Sequence, residues 1–342
     1  MNNIKLQLNS GIHSKGRGVG FYAENLTKAL AKNPSVILAC PESNQIDIVH
    51  YTYFDLFYPT LPFNKTHPTV VTIHDLTPLI LPHLYPKGLK GTFNLIRQRL
   101  SLLNVSAIIT DSQNSRRDLI KLFMFSPEKV FVTPLAADKI YKTTPSPISV
   151  GKIKSKFNLP EKFILTVAGG PNPNKNLPAL AEATKALKIP LVVVGGGMTK
   201  ELPPGKTHKE LKDLVKLKSY SHIITPGFIS NKELLAFYSL ATLYCQPSLY
   251  EGFGLPVLEA MHAGCLLVSS NTSSLSEIYP PGTITFDPQS QDSLQNALTK
   301  AFNLTQKQRN GLVNNAKEVA KQFSWKKTAQ KTIDVYTQVL SQ

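Results

Sequence analysis

Two carboxylates, Glu251 and Glu259, flank a glycine-rich stretch in the run EGFGLPVLEA. Apolar residues at 241–245 predict a strand before this stretch, and residues 256–263 predict a helix that begins at a proline. The backbone amides near Gly254 would then lie at a helix N-terminus, where the helix dipole favours an anion such as phosphate. Carboxylates beside such a site accept hydrogen bonds from hydroxyls. The stretch therefore predicts a ligand that carries both phosphate and sugar hydroxyl groups.

A second glycine-rich loop occupies residues 11–20, after the run at 4–8 that predicts the first strand. Glycines in a loop between a strand and a helix let the backbone approach a phosphate or a sugar closely. Gly18 and Gly20 are the candidates here. A tight turn is the alternative interpretation of the same residues.

His74 follows the apolar run 69–73, at the expected carboxyl end of a strand. In an open parallel sheet ligands bind at that end of the strands. A histidine there can hydrogen-bond a sugar hydroxyl, and the neighbouring Asp75 is in place to orient the ring. A buried structural histidine is the alternative.

A third strand-and-loop unit combines glycine with a cation. The apolar run 163–167 predicts a strand, and Gly169 and Lys175 lie in the loop between it and an expected helix from about residue 178. A strand, a glycine loop, a lysine and a helix start together form an anion-binding arrangement.

Composition limits the class of protein. The 342 residues suffice for two domains with separate cores, and 42% hydrophobic with 18% charged residues is typical of a globular protein. Cysteines 40, 245 and 265 are few and widely spaced, which indicates reduced core residues and a reducing compartment. The start MNNIKLQLNSG is too short and polar for a signal peptide, and no window approaches ~18 uninterrupted apolar residues. We therefore expect a cytoplasmic location.

The charge balance is strongly basic, with 38 Lys and Arg against 22 Asp and Glu, a net charge of +16. Residues 95–103 predict a helix that bears Arg97 and Arg99. Nucleic acid, an anionic membrane surface or anionic substrates would each suit this charge, and a solvated lysine-rich surface is the alternative. Zinc-finger spacing, an RNP-like aromatic strand and a helix-turn-helix signature are all missing from the sequence, which argues against nucleic acid. Peripheral docking on anionic lipid is the remaining macromolecular interpretation.

The run EGFGLPVLEA resembles the signature of retaining GT-B glycosyltransferases, and it is most similar to family GT4, the glycosyltransferases of group 1. HDLTPL, which contains His74, is similar to a motif in the N-terminal domain of that family. Together with SLYEGFGLPVLEA it resembles a mannosyltransferase-like branch. The resemblance implies an α/β, GT-B fold, in which two Rossmann-like domains face each other across a cleft.

The family's activity is transfer of a sugar, with retention, from a nucleoside-diphosphate sugar to a hydroxyl of a glycan or lipid-linked glycan acceptor; mannose is favoured. The resemblance also implies the role of each residue. Lys175 would stabilise the departing diphosphate, Glu251 would hold the sugar ring, and His74 would position the sugar; these three form the expected catalytic set. Glu259 would hold the ribose hydroxyls. The full expected donor-binding set is Gly18, Gly20, Gly169, Lys175, Phe253, Gly254, Leu255 and Glu259.

The sequence predicts no metal site, because neither a DxD motif nor a His, Cys and Asp cluster with ligand spacing is present. We therefore expect a nucleoside-diphosphate sugar as co-substrate, and neither a metal nor another cofactor.

One segment departs from the family pattern. Gly170 and Asn174 occupy positions where relatives carry arginines that neutralise the donor diphosphate. This departure keeps two alternatives open, a non-catalytic sugar-nucleotide-binding partner subunit and a GT-B-fold sugar-nucleotide epimerase or hydrolase.

The domain boundary is expected where the apolar runs stop, within residues 138–156. We expect an acceptor-side domain over residues 1–145 and a nucleotide-sugar-binding domain over 150–323. Residues 324–342 are expected to form a helix that, by resemblance, crosses back onto the first domain.

Overall fold

The computed structural model describes residues 3–10, 18–39, 45–170, 172–195 and 217–342. The chain divides into two compact units, one comprising Met1–Ala136 and Phe323–Gln342, the other Ala137–Gln322. Residues 11–17 of the glycine-rich loop and Cys40 lie outside the described residues.

Each unit is built on a parallel sheet, which the described residues show with six strands. The first sheet has the order β2-β1-β3-β4-β5-β6 and the second the order β12-β11-β10-β7-β8-β9. The strands are β1 (Ile4–Asn9), β2 (Val36–Leu38), β3 (Ile48–Tyr51), β4 (Thr69–Thr72), β5 (Ala107–Thr110), β6 (Val130–Val132), β7 (Ile164–Val167), β8 (Leu191–Val194), β9 (Ile223–Gly227), β10 (Leu243–Gln246), β11 (Leu267–Ser270) and β12 (Ile284–Phe286).

The central strands are apolar runs because both faces of each sheet are covered. TVVT in β4, AIIT in β5 and LVVV in β8 are buried at every position, as parallel strands between helices are. The helices are α1 (Val19–Leu30), α2 (Thr77–Ile80), α3 (Gly88–Ser101), α4 (Gln113–Phe123), α5 (Pro147–Lys156), α6 (Leu177–Ala186), α7 (Asn231–Leu240), α8 (Leu255–Ala263), α9 (Gln291–Phe302), α10 (Gln306–Ala320) and α11 (Trp325–Leu340). Short 3₁₀ turns occupy Pro127–Lys129, Lys139–Lys142, Pro173–Lys175, Leu217–Ser219 and Ser273–Glu277.

The strand order fixes where a ligand can approach each sheet. In the second unit the chain runs from β7 to β8 and β9 on one side, then returns to β10 on the other side of β7. The loops after β7 and β10 therefore diverge and leave a crevice at the carboxyl ends of these strands. The first unit has the corresponding reversal between β1 and β3.

Three elements differ from the sequence expectation. Helix α1 begins at Val19, because Gly18 makes the turn before it with a φ of 76°, so Gly20 lies inside the helix. Helix α3 begins at Gly88, well before the expected residue 95. Helix α5 occupies half of the segment expected to be a linker; the Ser146 hydroxyl caps it by accepting from the Ser149 amide at 3.2 Å.

The last helix, α11, packs within the first unit. The Thr328 hydroxyl donates to the Pro134 carbonyl at 2.6 Å, and the Tyr336 hydroxyl lies 2.6 Å from Nδ1 of His50 on β3. Among the described helices none is both long and apolar enough to cross a membrane.

Candidate active site

A buried ion pair joins the two loops that diverge at the crevice of the second sheet. Lys175 stands in the 3₁₀ turn after β7 and Glu251 in the loop after β10, and Lys175 Nζ lies 2.6 Å from Glu251 Oε1. The two side chains are only 16% and 10% exposed. A charge pair this far from solvent interacts more strongly than a surface pair, because water screens it less.

Two further donors hold the Glu251 carboxylate. Gln246 Nε2 donates to Oε1 at 2.8 Å, and the Ser248 hydroxyl donates to the same oxygen at 2.6 Å. Gln246 in turn accepts from the Tyr244 hydroxyl. Three donors on one oxygen fix the position of the carboxylate.

The loops that carry the pair are bonded to each other through the backbone. The Leu249 amide donates to the Asn174 carbonyl at 2.8 Å, and Asn174 Nδ2 donates to the Tyr250 carbonyl at 2.9 Å. The Glu251 amide donates to the Ser273 hydroxyl at 2.9 Å. The position of Lys175 is thus set by the chain on both sides of the crevice.

Helix α8 begins beside this pair. Its N-cap, Gly254, has φ 104°, and a Cβ there would come within 2.6 Å of Leu275 Cδ2. Only glycine meets both constraints at low cost. Phe253, before it, is buried, and its carbonyl accepts from the Ser274 hydroxyl at 3.1 Å. The Leu255 amide thus lies at the positive end of a nine-residue helix.

Glu259 lies one turn along α8 and is 6% exposed. Its Oε2 accepts from the Tyr238 hydroxyl at 3.1 Å, and Tyr238 also donates to the Pro256 carbonyl. Burial, then the nearby charges of Glu251 and Glu259, raise the pKa of Tyr244 well above its ordinary value. The charges of both carboxylates therefore raise the pKa of the same buried residue, Tyr244. Glu251 and Glu259 thus lie at the same end of the second sheet.

His74 lies in the first unit, after β4. Its Nδ1 is 2.7 Å from Oδ2 of Asp111, which follows the neighbouring strand β5. Burial lowers the pKa of His74, but the charge and hydrogen bond of Asp111 more than reverse this and raise it. The expected role of Asp75 is wrong: its Oδ1 accepts from the Thr77 amide at 2.8 Å, and Asp111 orients the ring instead.

His74 lines a cavity of about 210 Å³. Within the described residues, the buried Asp111 Oδ1 has no hydrogen-bond partner. A hydrogen bond with the Thr52 backbone also contributes to the raised pKa of His74. The cavity is lined by Val19, Tyr53, Phe54, Asp55, Leu56, Phe57, His74, Asp75 and Pro78.

Tyr22 packs against His74 and is itself held by a chain of hydrogen bonds. Tyr22 packs edge-on against the His74 ring at 4.8 Å and shares a 3.0 Å hydrogen bond with Thr72. Thr72 also lies 2.7 Å from Nε2 of His50. Burial lowers the pKa of His50 to about 3, so His50 stays neutral. The ring of His74 therefore packs against Tyr22, which is hydrogen-bonded through Thr72 to the neutral His50.

The structure places the expected residues in two groups, one in each unit. Glu251, Lys175, Phe253, Gly254, Leu255 and Glu259 gather at the crevice of the second sheet, with Gly169 at the end of β7. Gly18 and Gly20 belong to the first unit, at the start of α1. Sequence reasoning missed Asp111, although its position after a fully buried strand next to β4 was a usable signal.

Among the described residues no group of three or more His, Cys, Asp or Glu side chains is arranged to hold a metal ion. Cys245 and Cys265 are free and buried.

Two doubly wound α/β units, with polar groups gathered at the carboxyl ends of their strands, define a protein of the GT-B architecture. The structure of sucrose-phosphate synthase from Thermosynechococcus elongatus superposes with a TM-score of 0.73 at 17% identity, and covers 99% of this chain and 100% of that one. The expected fold is confirmed.

Two family models match the sequence, Glycosyl transferases group 1 over residues 150–319 and Glycosyltransferase Family 4 over residues 42–139. The chain belongs to the group 1 glycosyltransferases.

Two curated relatives from Escherichia coli are both 28% identical to this chain. The serotype-specific mannosyltransferase WbdA matches over 312 residues, which is 86% of this chain but 37% of WbdA. O-antigen chain mannosyltransferase B matches over 274 residues, 78% of this chain and 69% of that protein. The chain thus spans little more than a third of the length of WbdA.

Proposed function

We propose that the protein is a retaining glycosyltransferase that moves a sugar, with mannose favoured, from a nucleoside-diphosphate sugar to a hydroxyl of a glycan or lipid-linked glycan. The observation that carries the proposal is the Lys175–Glu251 pair at the crevice of the second sheet, beside the start of α8. The names of both Escherichia coli relatives, which are mannosyltransferases, support the choice of sugar.

The donor diphosphate would bind between Lys175 and the first amides of α8. Lys175 is already held by Glu251, so its ammonium needs no reorganisation when charge develops on the leaving phosphate. Glu259 would accept from the ribose hydroxyls, and Glu251 would accept from hydroxyls of the sugar ring. Lys175 and the α8 amides would then stabilise the negative charge of the leaving diphosphate, and the proposal requires no metal ion.

His74 would bind the sugar or acceptor from the first unit. With one proton on Nδ1 shared with Asp111, Nε2 accepts a hydrogen bond from a hydroxyl; with the ring protonated, Nε2 donates one. Either form of the ring can therefore bind a hydroxyl that reaches it from the cavity.

Retention at the sugar carbon needs either a protein nucleophile or a reaction on one face. Retaining hydrolases place two carboxylates about 5 Å apart and use one as the nucleophile. Glu251 would be a weak nucleophile, because three donors on Oε1, from Lys175, Gln246 and Ser248, draw negative charge away from the reacting carboxylate. The proposal therefore uses a front-face route, in which the leaving phosphate accepts the proton of the acceptor hydroxyl.

The test is a panel of nucleoside diphosphates and their sugars, titrated by calorimetry into wild type, Lys175→Ala and Glu259→Ala with magnesium chelated. We expect one diphosphate to bind wild type and both variants to lose at least tenfold in affinity. The sugar of that diphosphate should then turn over only when a glycan acceptor is added. Failure of every diphosphate to bind would contradict the donor site, and donor consumption without acceptor would favour a hydrolase or epimerase.

A non-catalytic partner subunit is the second candidate, and the missing arginines favour it. Asn174 has a structural task that arginine would not reproduce, since its side chain holds the Tyr250 carbonyl. Gly170 is different: a Cβ there would meet only Asn172 Nδ2, at 3.9 Å, so the position has room for a side chain.

Gly170→Arg separates the two candidates. An arginine near the diphosphate adds a bidentate cation and should tighten donor binding several-fold. If the wild type binds a donor but does not turn it over and Gly170→Arg does, the native chain is the partner subunit. If wild type turns over and the variant changes only KM, Lys175 and α8 suffice.

A further inference from the structure

Helix α3 presents an apolar face to solvent. Five large side chains, four on the helix and one just beyond its last residue, follow at intervals of three and four residues and are between 51% and 94% exposed; they are Leu89, Phe93, Ile96, Leu100 and Leu103. The opposite face of the helix is buried through Leu95, Gln98 and Ser101. A helix that is apolar on its solvent side as well as its core side is unusual for a surface element and marks an interaction surface.

Positive charge surrounds this face. Residues 76–110 contain no Asp or Glu, and Lys87, Lys90, Arg97 and Arg99 are all exposed. Arg97 lies over the ring of Phe63, 5.6 Å from its centre. Apolar side chains flanked by lysine and arginine, with no acidic residue in the segment, match the interface of an anionic membrane, where the chains enter the acyl region and the cations meet headgroups.

The inner side of α3 is joined to the cavity of His74. Gln98 Nε2 donates to the Asp55 carbonyl at 2.6 Å and Asn94 Nδ2 donates to the Phe57 carbonyl at 2.8 Å. Both acceptors belong to the segment 53–57, which lines that cavity. Beyond it Tyr58 and Phe63 are 68% and 49% exposed. One continuous segment thus runs from the cavity to the exposed face.

We propose that α3 and the segment 57–63 dock the protein on an anionic lipid surface. Docking there holds the mouth of the His74 cavity at the level of the headgroups, where a hydroxyl of a lipid-linked acceptor is found. The statement about the acceptor rests on the proposed transferase function; the docking itself does not.

The experiment measures sedimentation of the whole protein with vesicles of phosphatidylcholine, alone or with about one third phosphatidylglycerol. Two variants test the two contributions, Leu89→Ser with Phe93→Ser for the apolar face and Lys87→Gln with Lys90→Gln for the charges. Each variant should bind the anionic vesicles at least tenfold more weakly. The charge variant loses two cations, each of which contributes about fivefold to binding near such a surface. The apolar variant loses two side chains that would insert into the acyl region. Wild-type binding should also weaken with salt and fall away on phosphatidylcholine alone.

The control is Ile148→Ser with Lys152→Gln, an exposed apolar residue and an exposed lysine on α5 of the second unit. It should bind vesicles within twofold of wild type, and all three variants should keep the wild-type melting temperature, since the changed side chains are exposed. Equal binding by wild type and both α3 variants would overturn the proposal. So would a wild-type dimer that the apolar variant dissociates, because the face would then pair two copies of the chain. Vesicle binding without any sugar transfer would leave the docking standing and contradict only the transferase.

Discussion

Both units have polar groups at the carboxyl ends of similar sheets, but the two groups differ in how completely they are hydrogen-bonded. In the second unit Glu251 receives three donors on one oxygen, and Lys175 is held by that carboxylate. In the first unit the His74 ring has one side-chain hydrogen-bond partner, Asp111, and a hydrogen bond with the Thr52 backbone, while the second Asp111 oxygen has no partner in the described structure. One group is satisfied before any ligand arrives, and the other is left with unused hydrogen-bonding capacity.

This difference in hydrogen bonding suits the proposed task of each group, which is to bind a diphosphate in the second unit and to select a hydroxyl in the first. A cation that meets a diphosphate needs to be in place beforehand, because reorienting it during the reaction would cost part of the stabilisation. A group that selects a hydroxyl gains specificity from atoms that only the correct ligand can satisfy, since a wrong ligand leaves them unpaired.

Loss of the cation should have the largest effect. Lys175→Met removes the charge beside the leaving phosphate and should lower turnover at least 100-fold. It also leaves Glu251 without its counter-charge, which should cost about 2 kcal/mol of unfolding free energy, the partial exposure of the pair reducing the effect. Urea unfolding and initial rates measure the two effects.

The double variant Lys175→Met with Glu251→Gln separates them. It should recover most of the stability, because no charge is then buried alone, but none of the turnover. If the double variant is as unstable as the single one, the pair is not what holds the second group together.

Asp111→Asn tests the sparsely bonded group and should have the next largest effect. The pKa of His74 is raised in the folded protein by Asp111, so the pair stabilises the fold below the unfolded value of about 6.5 and this contribution is lost as pH rises through the raised value. The variant should flatten the fall in melting temperature above about pH 6.5 and lower turnover roughly tenfold. Melting curves across pH measure the first effect.

Asp75→Asn is the matched control for that experiment. Asp75 contributes less than Asp111 to the raised pKa of His74, and its side chain bonds the Thr77 amide. It should therefore move the pH profile less than Asp111→Asn does. A larger shift would restore Asp75 as the residue that governs the ring.

Gly254→Ala tests whether the second group depends on a rigid frame. The new Cβ meets Leu275 and the backbone has φ 104°, so stability should fall by about 2–3 kcal/mol and donor affinity with it. Gly282→Ala shares the positive φ, 88°, but its Cβ has open space. It should cost only about 1 kcal/mol; equal costs would remove the contact with Leu275 from the explanation.

Tyr238→Phe should have the smallest effect. It removes the hydroxyl that holds Glu259 and the Pro256 carbonyl, at a cost of about 1 kcal/mol in thermal stability. Donor affinity by calorimetry should fall a few-fold, since Glu259 loses orientation but keeps its charge. An unchanged affinity would mean that Glu259 is fixed by other contacts.

Local pattern was sufficient for the parts of the site that lie close together in sequence. The strand, glycine and helix run around Gly254 and the lysine loop before α6 were predicted from residue order. The pairing of Lys175 with Glu251 was not, because 76 residues separate them and only the adjacency of β7 and β10 brings them together. Asp111 was missed for the same reason: its partner, His74, follows the neighbouring strand β4 and is 37 residues away along the chain.

The start of α3 was misplaced because Gly88 and Gly91 weaken helix propensity in its first turns. Its exposed apolar face was also unpredictable, since a stripe of leucine and phenylalanine normally indicates the core. The side of α3 that becomes buried depends on how the helix packs against the folded sheet, and the sequence pattern alone does not show this.

The last helix has a consequence for the order of assembly during synthesis. The second unit is continuous from Ala137 to Gln322, whereas the first unit is finished by Phe323–Gln342. Until α11 leaves the ribosome, His50 lacks the Tyr336 hydroxyl and Pro134 lacks Thr328. The half of the protein that is translated first is therefore the half that completes its core last.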